Sequence, residues 1–206
     1  MSAKTYFTVI RHGETEWNRD GRIQGSRNSD LTIIGKRQAW ALGKRFAQTR
    51  FDAIYSSDLK RAWETAVTIA GAGEDAIRKD VRLREANMGV FEGLNRDELE
   101  SKYGEEWKQF LLGDASSCIP EGESYNQFEA RILEFFREKA ELHKEESIAV
   151  ITHGGVLGAL LRATLEIPFE RKRAFSHHNA SVNIFTFYNG KVTLGTWGDI
   201  SHLEGL

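Results

Sequence analysis

Two short runs constrain this chain more than any other feature, because both end in the same way. Residues 6–10, rich in β-branched and aromatic side chains, stop at Arg11-His12-Gly13-Glu14-Thr15. Residues 147–151, Ser-Ile-Ala-Val-Ile, stop at Thr152-His153-Gly154-Gly155. Apolar runs of this length, closed by a polar cluster, read as buried strands. A third short run, residues 53–56, leads into Ser57-Asp58-Leu59-Lys60-Arg61-Ala62.

Helical patterns lie between these runs. Thr32 opens one, with Ala39, Leu42, Gly43, Phe46 and Ala47 at helical spacing. Residues 59–70 form another, with Ala62, Ala66, Ile69 and Ala70 turned inward. Ser124-x-x-Gln127 resembles a capping box, and Phe128, Ile132, Phe135 and Phe136 follow at i, i+4, i+7 and i+8. The spacing predicts a helix over 124–143. Residues 155–165 read as an apolar helix, 95–112 as a helix interrupted at Gly104, and 76–83 as a strand. Residues 182–188 and 192–197 flank Asn189-Gly190, a hairpin turn signal. Strands alternating with helices predict an α/β fold: a mostly parallel sheet covered on both faces, ending in an antiparallel C-terminal hairpin. With two prolines and no Gly/Ser linker, residues 1–206 read as one domain.

Composition narrows the function classes. Hydrophobic residues make up 40% and charged residues 28%, which excludes a disordered or fibrous chain. The net charge of −2 offers no excess of positive charge for duplex DNA or an anionic membrane. Residues 1–10 do not read as a signal peptide, and no apolar stretch approaches the ~20 residues that span a bilayer. Cys118 is the single cysteine, so no internal disulfide forms; this fits a reducing compartment, and a cytoplasmic location is expected.

In open parallel sheets, ligands bind beyond the carboxyl ends of the strands. Two histidines, each followed by glycine at such an end, would face one pocket. Arg61 lies near the start of the helix after the third run, where a helix N-terminus favours anions. With Arg11 this gives two guanidiniums and two imidazoles, a setting for a phosphoryl group rather than a metal. Singly, each residue could close a strand or sit solvated on a helix; together they argue for chemistry. Other signatures fail. Gly35-Lys36 is followed by Arg37, which breaks the phosphate loop, and no G-x-S-x-G elbow is present. No histidine pair has i, i+4 spacing, and one cysteine cannot build a structural zinc site, so no metal is expected.

These residues carry a resemblance. Arg11-His12-Gly13-Glu14-Thr15-Glu16-Trp17-Asn18 resembles the signature of the histidine phosphatase superfamily, in the branch that contains the cofactor-dependent phosphoglycerate mutases. Ser56 to Ala62 resembles its second motif, and Leu83-Arg84-Glu85 with Gly89 and Glu92-Gly93-Leu94 its third. Gly122-Glu123-Ser124 and Thr152-His153-Gly154-Gly155 resemble the fourth and fifth. The resemblance implies a three-layer α/β/α sandwich and a phosphatase of small phosphomonoester metabolites that works through a phosphohistidine and needs no cofactor. It implies His12 as nucleophile, with Arg11, Arg61 and His153 binding the phosphoryl oxygens and Asn18 adding a hydrogen bond. Glu85 would be the proton donor, and its rival Glu92 structural. Gly154 belongs to the fifth motif's substrate contacts, and Arg22 and Gln24 are candidates for touching substrate.

Each implied role has a physical reason. A neutral imidazole attacks phosphorus, provided its other ring N–H donates to something fixed, such as a backbone carbonyl. Preorganised cations stabilise charge spread over three oxygens, and arginine does so bidentately. A carboxylic acid kept neutral by burial protonates the leaving alkoxide.

The superfamily also holds phosphoglycerate mutases and phosphatases of sugar bisphosphates and of ribazole phosphate. A non-catalytic phosphate-binding or scaffold protein on the same fold is a reading of a different class. The segment from Glu85 to His153 leaves mainly residues 95–122 for a lid, which favours hydrolysis over isomerisation. The expected partner is a small phosphorylated metabolite, not nucleic acid or membrane, and a homodimer is allowed. His177, His178 and His202 read as surface or packed histidines, Trp17 as core support for the first motif, Glu14 and Glu16 as structural or solvated, and Cys118 as a bystander.

Overall fold

The computed structural model describes residues 3–71, 73–171 and 174–206. Chain order runs β1 (Thr5–Arg11), α1 (Glu16–Arg19), α2 (Ile33–Phe46), β2 (Ala53–Ser56), α3 (Lys60–Ala70), β3 (Ile77–Lys79), α4 (Arg96–Lys102), α5 (Gly104–Leu112), α6 (Tyr125–Leu142), β4 (Ser147–Thr152), α7 (Gly154–Leu165), β5 (Val182–Tyr188) and β6 (Lys191–Asp199). The six strands form one sheet in the order β3-β2-β4-β1-β5-β6. Pairing is parallel from β3 through β2 and β4 to β1, and antiparallel for β5 and β6.

The middle of the sheet is apolar on both faces, as the sequence runs require. Phe7, Val9 and Ile10 of β1 and residues 148–151 of β4 are fully buried. Successive strand residues point to opposite faces. Phe7, Val9, Ile148 and Val150 therefore meet Phe128, Ile132, Phe135 and Phe136 of α6 and Val156, Leu157 and Leu160 of α7. Ile10, Ala149 and Ile151 meet Leu42 of α2 and Ala62, Ala66 and Ile69 of α3 on the other face. Burying each large side chain contributes about 1.5–3 kcal/mol, so the two helix pairs are held to the sheet by its own alternation. This is the three-layer α/β/α sandwich. A smaller cluster, Phe91, Leu99 and Ile119 with Tyr103, Trp107 and Phe110 packed on it, gathers the segment between Glu85 and α6 into a cap at one side.

Local signals act as expected at several points. Ser124 accepts from the Gln127 N–H while the Gln127 side chain accepts from the Ser124 N–H, which closes the capping box of α6. The anticipated interruption at Gly104 is real: Tyr103 ends α4 and precedes α5. Other expectations need correction. The strand expected over 76–83 shrinks to β3, because Asp80 accepts the Arg82 N–H and turns the chain into a 3-10 turn at Val81–Leu83. α2 ends at Phe46, leaving Ala47 exposed rather than inward. α1, a single turn capped by Thr15 and Asn18, is too short for periodicity to reveal. No helix among the described residues is long and apolar enough to cross a membrane.

Candidate active site

The site is set by strand register. In the β1–β4 pair, Val9 lies opposite Val150, Ile10 opposite Ile151 and Arg11 opposite Thr152. The next residue on each strand is therefore His12 and His153, side by side as the chain leaves the sheet. The His12 N–H still donates to Thr152 O at 3.0 Å, and the two imidazole centroids are 5.2 Å apart. β2 joins β4 on its far side, so Ser57, whose N–H donates to Ile151 O, leaves the sheet next to His153.

Each ring is held in one tautomer. Nδ1 of His12 lies 2.7 Å from Gly13 O. A carbonyl only accepts, so Nδ1 carries the proton and Nε2 keeps its lone pair. Nε2 makes no hydrogen bond among the described residues. His153 is held in the opposite sense: Nδ1 accepts from Arg61 Nε at 3.1 Å, leaving Nε2–H to donate to Ser57 Oγ at 2.8 Å.

Arg61 is the largest fully buried side chain, 1% exposed. Its Nη1 donates to Arg27 O at 2.6 Å and its Nη2 to Gly25 O at 2.8 Å. With Nε on His153, three of its five N–H groups are taken, and one on each Nη remains. Gly25 presents that carbonyl from a backbone with φ +54, and a Cβ there would lie 2.1 Å from the Glu92 carboxylate. Burial pulls the guanidinium down to about 10, so it stays charged at neutral pH. Burial, then Arg61, then Arg11 push His12 well below the ordinary histidine range. Burial, Arg61 and the neighbouring His12 do the same to His153. Both imidazoles are neutral at pH 7.

Arg11 and Glu85 frame the opening. Arg11 Nη1 donates to His177 O at 2.8 Å. Gly154 lies against Arg11 and the His177 ring, close enough that a Cβ would clash with the latter. His177, read as a surface or packed histidine, is half-buried and borders the site, while His178 is exposed. Glu85 is half-buried; its Oε2 accepts from the Gly155 N–H and its Oε1 from the Ala86 N–H, both at 2.9 Å. Residue 155 must be glycine for this approach, since a Cβ would fall 2.0 Å from Glu85 Oε1.

The weaker candidates separate. Asn18 Oδ1 accepts from the Thr15 N–H and hydroxyl and from Asn179 Nδ2. Its own Nδ2 has no partner among the described residues. Gln24 is buried with Oε1 unpartnered among them. Arg22 is committed to structure, donating to Gly93 O and pairing with Glu98 at 2.7 Å. Glu92 accepts from the backbone N–H groups of Ser26 and Met88 and is structural. Trp17 packs on Gly93 rather than in a core. No group of three His, Cys, Asp or Glu that could hold a metal ion occurs among the described residues.

The model of the histidine phosphatase superfamily (branch 1) matches residues 7–200. The chain belongs to this superfamily. Among its relatives, a metal-independent phosphoserine phosphatase of Arabidopsis thaliana is 38% identical over 209 residues, covering 100% of this chain and 86% of that protein. Phosphoglycerate mutase-like protein 4 of the same plant is 37% identical over 205 residues, covering 95% and 86%. Among solved structures, YhfR of Bacillus stearothermophilus superposes with a TM-score of 0.89 at 33% identity, covering 97% of this chain and 100% of that one. Family and relatives support phosphomonoester hydrolysis as the chemistry of this histidine phosphatase.

Three residues around the site escaped sequence reasoning. Ser57 stood inside the second motif, and its only signal was a serine at a strand end. Thr65 takes the Gly13 N–H and donates to Arg61 O, tying α3 to the first motif. Asn179 donates to His12 O and to Asn18 Oδ1 from a loop with no periodicity to mark it.

The buried imidazoles make stability depend on pH. Their folded pKa values lie below the unfolded value near 6.5. Above pH 6.5 neither state binds these protons; below it the unfolded chain binds them first. Stability is intact above pH 6.5 and falls on acidification at about 1.4 kcal/mol per pH unit per histidine. Structural carboxylates such as Asp80 titrate lower, so they do not mask a window of pH 7 to 5. Denaturant melts in phosphate-free buffer across that window should show the fall, and H12N/H153N should flatten it; an unchanged slope in that variant contradicts the account.

Proposed function

We propose that this protein is a phosphatase of small phosphomonoester metabolites in which His12 Nε2 attacks phosphorus. The observation that carries the reading is the His12 ring: Nδ1–H held on Gly13 O, Nε2 unbonded, and Arg61 and His153 locked together beside it. The phosphoryl oxygens would take the two remaining Arg61 N–H groups, Arg11 and Asn18 Nδ2, and the Nε2–H of His153 once it exchanges Ser57 Oγ for a phosphoryl oxygen. As the Nε2–P bond forms and the P–O bond breaks, the leaving oxygen takes a proton from the Glu85 carboxyl group. The resulting carboxylate then takes a proton from water, which attacks phosphorus and frees His12 and inorganic phosphate.

The Arg11 and Arg61 guanidiniums supply the positive charge that a metal ion would otherwise bring. Phosphoserine heads the list of substrates to test, because a 38% identical relative is a metal-independent phosphoserine phosphatase. H12A should lose several orders of magnitude in turnover, rapid quench should trap acid-labile phosphate on wild type only, and activity should survive EDTA. Substantial turnover by H12A, or loss on chelation restored by a divalent ion, would sink the reading.

Hydrolysis is favoured over isomerisation. A mutase must keep its phosphohistidine from water, which takes covering structure. Here the 86–123 segment supplies two short helices, α4 and α5, packed on their own small cluster around Phe91. Incubation with 3-phosphoglycerate and 2,3-bisphosphoglycerate should release inorganic phosphate with little 2-phosphoglycerate formed. Rapid interconversion without phosphate release would show a mutase.

A further inference from the structure

The Gly122-Glu123-Ser124 motif contributes nothing to the phosphoryl pocket, yet its glutamate is fully engaged. Arg131 of α6 donates from Nε to Glu123 Oε2 at 3.0 Å and from Nη2 to Glu123 Oε1 at 2.7 Å. The second Nη2 proton goes to Glu85 O at 3.0 Å, and Nη1 serves Arg82 O at 2.7 Å and Arg84 O at 2.9 Å. A guanidinium has five N–H groups, and all five are used within the protein. None is left for substrate. Thr152 Oγ1 takes Leu83 O at 2.8 Å, so every carbonyl from residue 82 to 85 is held by a side chain. Glu123 also grips the far end of this stretch, its Oε1 accepting from the Asn87 N–H and its own N–H donating to Asn87 O. The stretch from Arg84 to Asn87 belongs to no helix or strand. Side chains fix it instead, and Glu85 leaves it toward the Gly155 amide.

We infer that Arg131, locked by Glu123, is a positioning residue that holds the Glu85 carboxyl in register with the reacting phosphoryl group and so governs protonation of the leaving oxygen. The inference rests on the reading of Glu85 as proton donor. Lysine cannot replace Arg131, because three donors on one nitrogen cannot span a carboxylate and three carbonyls. The Arg131 charge also lowers the pKa of His153. That effect bears on every substrate alike, whereas an effect through Glu85 on the phosphorylation step depends on the leaving group: an aryl oxide departs without a proton and an alkoxide does not.

The test compares wild type, R131K, E123Q, E85Q and R131K/E85Q on 4-nitrophenyl phosphate and on the alkyl phosphate that wild type hydrolyses fastest. General acid catalysis contributes about 10²–10⁴-fold; R131K should lose roughly 10–100-fold of it in kcat/KM on the alkyl ester, a ratio that reports phosphorylation of His12 and not the later hydrolysis, with aryl kcat/KM within about threefold. E123Q should show the same selectivity more weakly, and it carries the test if R131K does not fold. R131K should add nothing to E85Q on the alkyl ester. Equal losses of R131K and E123Q on both esters, or multiplying losses in the double variant, overturn the positioning role while E85Q remains selective. If E85Q itself loses equally on both esters, the proton-donor reading fails first and the inference with it.

Discussion

The parallel pairing of β1 with β4 is the constraint on which the rest depends. One register, Arg11 opposite Thr152, delivers two His-Gly pairs to the same point beyond the sheet. A slip of one residue would turn every side chain of the strand to the other face. It would also break the fit between these apolar side chains and the helix layers that cover both faces. The hydrophobic core therefore enforces the geometry of the site: the alternation that buries Val9 and Val150 under α6 and α7 also sets His12 beside His153.

The electrostatics follow from that placement. The imidazoles and Arg61 emerge at the top of a dry sheet, where desolvation disfavours added charge. The one cation that must be retained, Arg61, is compensated by two carbonyls and an imidazole nitrogen. It adds to burial, the larger cause, in keeping both histidines neutral. A His12 imidazole that is neutral at neutral pH is thus a consequence of burial beside guanidinium groups. The Gly13 carbonyl decides which of its two nitrogens is free.

What could be read in the sequence was what periodicity or end signals encode. The two buried runs, the Ser124 capping box and the Asn189-Gly190 hairpin each became the element they predicted. His12, Arg61 and His153, far apart in sequence, converge because three strands end side by side, and Glu85 joins them from an irregular stretch held by Arg131. The illegible parts depend on tertiary contacts. β3 was overestimated because Asp80 captures a backbone N–H locally. Ser57 and Asn179 hold His153 and His12 from positions where a serine or asparagine usually marks only a loop. Arg131 looked like any polar residue on a helix face, since its five acceptors come from two segments far from it or short of regular structure.

The central claim is that His12, and specifically its Nε2, is the atom that takes the phosphoryl group. With histidines labelled in 15N and the phosphoenzyme trapped by rapid mixing, NMR coupling between 31P and the ring nitrogens identifies the attachment atom directly. The account predicts coupling to Nε2 of His12, with its Nδ1 still protonated. Phosphorus on Nδ1 of His12, or on His153, would contradict it.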